Sequence, residues 1–340
     1  MIPLSQNPRE IVQAAVHFAS PERLPVRMAS LGIDDTAWIP RKAHESRDEY
    51  GLTIDEWGCR WEHTDAWNMG QVKGHPLASL AEYDRVTVPD FSQDWLYEDC
   101  DTAFHKAEQE EKYTMTGIFM TLFERMHALA GFETVLVGLI MEPNYAAALA
   151  DLILDAQLSF VRNCQERFGT HLNAFHMSDD WGTQQASFID PALWREFFLP
   201  RYTKLFTAMH AGGQDVWVHS CGKVNEIIQG FIDAGVDAMN LQQPRALGIE
   251  EIGRRYQGKL AFESLSDIQA TLPSGDSSRI EADAHDLAHN WMLPTGGFIF
   301  SDYGDGRAIG VEPKAKITMY NAFSRVSEDM YGRPLPKLCS

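Results

Sequence analysis

Lysine and arginine are scarce in this 340-residue chain: 29 of them stand against 48 aspartates and glutamates, a formal net charge of −19. A surface so acidic repels phosphate, which excludes nucleic acid and anionic membrane as expected partners. Cysteine is also sparse. Five residues (Cys59, Cys100, Cys164, Cys221 and Cys339) are scattered and odd in number, a poor disulfide framework that suits a reducing cytoplasm. The start, Met1-Ile2-Pro3-Leu4-Ser5, has no charged segment leading into an apolar one, so no signal peptide is expected. The apolar run 134–141 is too short to span a bilayer. No Gly-x-Gly-x-x-Gly follows a strand-like run, and neither a Walker loop nor a Gly-x-Ser-x-Gly elbow is present. Dinucleotide binding and serine-hydrolase chemistry lose their usual signatures.

What is present is an alternation of short β-like runs with longer amphipathic stretches. The runs fall at 24–28, 52–55, 113–119, 172–177, 215–219, 236–241, 259–262 and 297–300. Strand-helix repeats imply parallel strands, because parallel neighbours require crossover connections. Eight of them predict an α/β fold, a closed (β/α)8 TIM barrel forming a single domain over 1–340. The acidic, aromatic segment 62–111 is expected as an elaboration between strands two and three.

Chemistry in such a barrel gathers where strands end. His219-Ser220-Cys221-Gly222 closes the fifth run. Residues i and i+2 of a strand face one side, so an imidazole and a thiol can converge on one ion there, and zinc suits that pair best. A buried histidine beside a buried free cysteine satisfies the same spacing. Other strand ends carry Arg27, Asp55-Glu56-Trp57-Gly58, Asp179-Asp180-Trp181-Gly182, Asn240, Gln242, Glu263, Asp267, Asp302 and Asp305. Paired acids before Trp-Gly serve equally as helix caps or as groups facing the mouth. His171 and His176 flank an apolar run and read as core histidines.

These residues together resemble the uroporphyrinogen decarboxylase superfamily, including its zinc-dependent, corrinoid-linked methyltransferase branch. The resemblance rests on Glu22-Arg23-Leu24-Pro25-Val26, Asp55-Glu56-Trp57-Gly58, Asp179-Asp180-Trp181-Gly182-Thr183-Gln184, Pro200-Arg201-Tyr202, His219-Ser220-Cys221-Gly222, Gln269-Ala270-Thr271-Leu272-Pro273 and Glu312-Pro313. It covers nearly the whole chain and implies the (β/α)8 barrel. True decarboxylases of the family carry Arg-Gln-Ala-Gly-Arg after the first strand. This chain has Arg27-Met28-Ala29-Ser30-Leu31-Gly32 instead, with one arginine for substrate carboxylates.

The methyltransferase branch carries His-x-Cys and a later cysteine. Here the later position falls among Asp302, Tyr303 and Asp305. The resemblance therefore implies zinc on His219 and Cys221, with Asp305 or Asp302 as third protein ligand. It also implies a methyl group moved between a small, for instance methoxylated, substrate and a corrinoid supplied by a partner protein. Asp55, Asp179 and Asp180 are the expected proton-handling or catalytic acids. Trp57, Trp181, Gln242 and Glu263 are the expected substrate contacts, the two tryptophans walling the mouth. The rival expectations are a metal-independent decarboxylase working through Asp55, and a barrel that binds a tetrapyrrole or small ligand without turnover.

Overall fold

The computed structural model describes residues 5–63 and 70–338. Cys339, and the reading of the first four residues, lie outside the described residues. Eight parallel strands ring the molecule: β1 (Val26–Met28), β2 (Thr36–Trp38), β3 (Tyr113–Ile118), β4 (Ala174–Ser178), β5 (Asp215–His219), β6 (Ala238–Asn240), β7 (Ala261–Ser264) and β8 (Phe298–Ser301). They pair in sequence order from β2 to β8, and β8 pairs β1. This is the expected (β/α)8 barrel.

Closure between β1 and β2 is indirect. Ile33–Asp34 runs antiparallel to β1, and the next residue, Asp35, turns the chain into β2. Its backbone N–H donates to the Val26 carbonyl and its carboxylate accepts from the Val26 N–H, both at 2.8 Å. Arg23 grips the same carboxylate at 2.6 and 2.7 Å, and both side chains are buried. A bidentate pair in that setting satisfies charges whose isolation would be costly.

The second strand differs from expectation. The run ending at Asp55 contributes Thr53–Ile54 to a separate antiparallel sheet with Ser46–Arg47, Arg60–Glu62 and Gln71–Gly74. β2 comes earlier, in a three-residue strand too short to show alternation. The excursion between β2 and β3 thus occupies residues 39–112 and holds this small sheet.

Side chains alternate across each strand. Odd positions of β5 point inward as Asp215, Trp217 and His219, and the register carries the same face through Ala238 and Asn240, then Ala261 and Glu263. Helix α1 (Pro8–Val16), started by an Asn7–Glu10 capping box, plugs the lower end. Its Val12 and Val16 pack with Tyr113, Met115, Ala174, Trp217, Ala238, Ala261 and Ile299. The interior is apolar at that level and turns polar at the upper one, where Arg27, His176, His219, Asn240 and Glu263 sit. No helix among the described residues is long and apolar enough to cross a membrane.

Candidate metal centre

Two loops, following β4 and β5, build the site by crossing at close contact. The Asp179 N–H donates to the His219 carbonyl (3.0 Å), Trp181 N–H to Ser220 Oγ (3.2 Å), and Lys223 N–H to the Thr183 carbonyl (2.7 Å). Gly182 and Gly222 meet where they cross. A Cβ on Gly222, whose φ is +84°, would lie 2.1 Å from the Gly182 oxygen, and a Cβ on Gly182 would lie 2.7 Å from the Lys223 nitrogen. Only glycines allow this approach, which explains the Trp-Gly and Cys-Gly pairs.

The crossing brings Asp180 to His219 and Cys221. One donor atom from each lies within 4.8 Å of the others. Cys221 Sγ is 3.3 Å from His219 Nε2, and Asp180 Oδ1 is 3.5 Å from the same nitrogen. His219 Nδ1 donates to Asn240 Oδ1. That bond places the ring proton on Nδ1 and leaves the Nε2 lone pair facing the cysteine and aspartate, the tautomer a metal ligand requires. Burial and then Asp180 push the Cys221 thiol up from its ordinary pKa; a bound cation would be needed to hold thiolate and carboxylate together. Thiolate, imidazole and carboxylate within one small triangle fit zinc, with a fourth position left for a substrate atom.

The other expected residues separate into three groups. Asp179 does not face the mouth. Fully buried, it accepts from the N–H groups of Leu122, Phe123 and Glu124 at 2.8–3.0 Å and from the Tyr202 hydroxyl. It is thus the anionic cap of helix α2 (Phe123–Ala130), in place of the proton handler expected. Burial raises its pKa, while those hydrogen bonds oppose the rise. Trp181 is likewise buried rather than walling the mouth. It stacks on Phe123 at 4.3 Å and donates from Nε1 to Tyr202.

Asp302 and Asp305 are not among the donors that converge within 4.8 Å. Asp302 is held by Lys316 (2.9 Å) and Ser30; Asp305 accepts from the Arg307 N–H at 3.1 Å and caps a short turn. Asp180, expected as an acid, takes the position proposed for them. Glu263 pairs with Arg27 at 2.6 Å inside the barrel. Gln242, partly exposed beyond β6, offers its backbone oxygen to Ile268 at 3.5 Å.

Asp55 and Trp57 belong to neither group. Asp55 accepts from the Trp57 and Cys59 N–H groups, from Trp61 Nε1 and from Arg125. Both residues line a cavity under the small sheet, which His219, Cys221 and Asp180 do not line.

Glu124 was not foreseen. It is buried beside the centre and accepts from Ser178 Oγ at 3.1 Å. Burial, then Asp180 and Asp179, raise its pKa, favouring the protonated form. Nothing in Phe123-Glu124-Arg125 marks it as more than a helix start. Gln243 was also missed: its Oε1 accepts from the Gly222 N–H at 3.0 Å, steadying the cysteine loop.

A barrel with a polar upper interior and a donor triangle at the ends of β4 and β5 is an α/β barrel of the kind that carries its chemistry at the C-terminal rim. Residues 58–311 match the family model of uroporphyrinogen decarboxylase (URO-D), and the chain belongs to that family. A methyltransferase from Methanosarcina mazei shares the fold, with a TM-score of 0.69 and 13% identity over 94% of this chain and 98% of that one. More distant are xylanase 10B from Thermotoga maritima (TM-score 0.45, 10% identity, 96% and 99% covered) and a D-psicose 3-epimerase (TM-score 0.37, 11% identity, 75% and 88% covered). No curated protein matches the chain in sequence.

Proposed function

We propose that this protein is a zinc-dependent methyltransferase, moving a methyl group between a small substrate and a corrinoid brought by a partner protein. The observation that supports the reading is the convergence of Asp180, His219 and Cys221 within 4.8 Å. Zinc held there would act as a Lewis acid toward a substrate heteroatom.

The chain's own residues do the rest. Asn240 keeps Nε2 of His219 directed at the ion. Asp180 replaces a second thiolate with a carboxylate, giving a harder donor set that favours oxygen or nitrogen substrates over thiols. Glu124 lies buried beside Asp180, where burial and the neighbouring carboxylates raise its pKa in the metal-free protein. The URO-D family membership and the fold shared with the Methanosarcina methyltransferase support the same class. The decarboxylase alternative rests on Asp55, which accepts from four donors and is not part of the Asp180–His219–Cys221 triangle.

The test is metal analysis of protein purified without added metal, then methyl transfer between methoxylated compounds or amines and cobalamin. About one zinc per chain is expected, lost in His219→Ala and Cys221→Ser. Near-zero zinc in the unmodified protein would refute the reading.

A further inference from the structure

Helix α3 (Phe132–Met141) is apolar on every side, Glu133 and Thr134 excepted. A helix of that kind belongs in a core or an interface, yet this one buries only Val135, Gly138 and Leu139. Gly138 marks the inner side, where a Cβ would fall 2.1 Å from Leu80 Cδ1. The outer side carries Leu136, Val137, Ile140 and Met141 at the spacings that make neighbours on a helix. Val137, Ile140 and Met141 are 53%, 70% and 73% exposed, and Phe132 adds a ring that is 40% exposed. Four of the ten large hydrophobic side chains exposed among the described residues thus lie on one helix, a stripe rather than the usual scatter.

The stripe is held in place. Phe132 packs against Phe123 and Phe188, with ring centroids 5.8 and 5.1 Å away, and the Phe188 N–H donates to the Trp181 carbonyl at 2.8 Å. A lipid surface suits it poorly: interfacial helices flank their apolar face with lysine and arginine, and none occurs between Arg125 and Arg162. The stripe exposes on the order of 500 Å², near the top of the range for the largest patch on a monomer, about 300–600 Å². Two such stripes pressed together bury about 1,000 Å², the threshold of a specific interface. A two-fold axis needs only one patch, used by both copies. The acids Glu133 and Glu142 stand at its two ends and leave the middle uncharged.

We infer that α3 is a dimer seam: a second copy of this chain covers the stripe, the two helices lying antiparallel about a two-fold axis. The contact does not depend on the metal reading.

Sedimentation velocity of the full chain from about 1 to 200 µM tests it, because a contact of this size gives a Kd on the order of 10 µM. A monomer–dimer transition is expected within that range. Ile140→Glu, at an exposed position, should abolish it without moving the thermal unfolding midpoint of the dilute protein. Lys204→Gln, which changes the net charge by the same amount away from the stripe, should leave it intact. Raising NaCl from about 0.05 to about 0.5 M should tighten the dimer several-fold, since screening relieves repulsion between two chains of charge −19 and spares the apolar contact. His219→Ala should dimerise like the unmodified protein, whatever its zinc content. A monomer throughout would overturn the inference and assign the stripe to a different protein. A dimer that persists in Ile140→Glu, or that salt dissolves, would overturn it as well.

Discussion

Gly222 sits against Gly182 with no room for a single methyl group between them, a Cβ on the former falling 2.1 Å from the latter's carbonyl oxygen. This contact sets the distance between the loop that carries Asp180 and the loop that carries Cys221. Gly222→Ala adds a side chain at a positive φ and forces the loops apart. The strain and the overpacking together should cost about 2–4 kcal/mol of stability. Zinc content should fall below that of the unmodified protein even where the variant remains folded. Urea denaturation and metal analysis on the same preparation check both halves.

At the proposed metal centre, Asn240 would act on zinc through His219 rather than by touching it. Replacing it with leucine keeps the volume and removes the acceptor that fixes the imidazole tautomer. Loss of such a partner typically costs about 10–100-fold in metal affinity. Chelator competition should show a drop in that range for Asn240→Leu, with the circular dichroism spectrum unchanged. Asn240→Asp should restore most of the affinity, since a carboxylate accepts the same hydrogen bond.

The barrel's first seam depends on Asp35. It supplies the backbone and carboxylate bonds that tie β2 to β1, and it neutralises the buried Arg23. Asp35→Ala leaves that guanidinium buried without its counter-charge, which costs about 3–5 kcal/mol. The double variant Arg23→Met, Asp35→Ala should recover part of that loss, because the stranded charge is gone while the Val26 N–H still lacks its carboxylate acceptor. Denaturant midpoints of the single and double variants measure the difference.

Legibility in the sequence followed the strength of local patterning. Seven barrel strands came from runs of apolar or β-branched residues long enough to show themselves. β2 did not, because Thr36-Ala37-Trp38 carries one exposed tryptophan and no alternation, whereas Leu52-Thr53-Ile54 has β-forming residues that the chain spends on an outlying sheet. His219 and Cys221 were legible because two-residue spacing on a strand states a shared face. Asp180 was visible as an acid but not as their partner, since adjacent aspartates point apart and only the glycine crossing decides which one turns to the histidine. Asp179 gave no sign that it caps α2, a helix that begins 56 residues earlier in the chain. The displacement of Asp302 by Lys316, which reaches it from the final helix α4 (Pro313–Tyr331), was equally a matter of tertiary contact.

His127 gives the fold an acid sensitivity whose sign can be worked out. Burial, followed by repulsion from His75, lowers its pKa from 6.5 to about 4. Between those two values the unfolded chain binds more protons than the folded one, so stability must fall as pH drops from about 6.5 toward 4. The shift is worth roughly 2–3 kcal/mol over that window, less whatever solvent reaches the partly exposed ring. The imidazole packs edge-on against Phe123 and Phe132, with ring centroids 5.2 and 5.6 Å away, so phenylalanine can take its place without a new polar demand. His127→Phe should therefore match the unmodified protein near pH 7.5 and exceed it by about 2 kcal/mol at pH 4.5. Urea unfolding at the two pH values separates this residue from the general acid weakening of the carboxylates, which both proteins share. Equal loss in the two proteins would assign the acid sensitivity elsewhere.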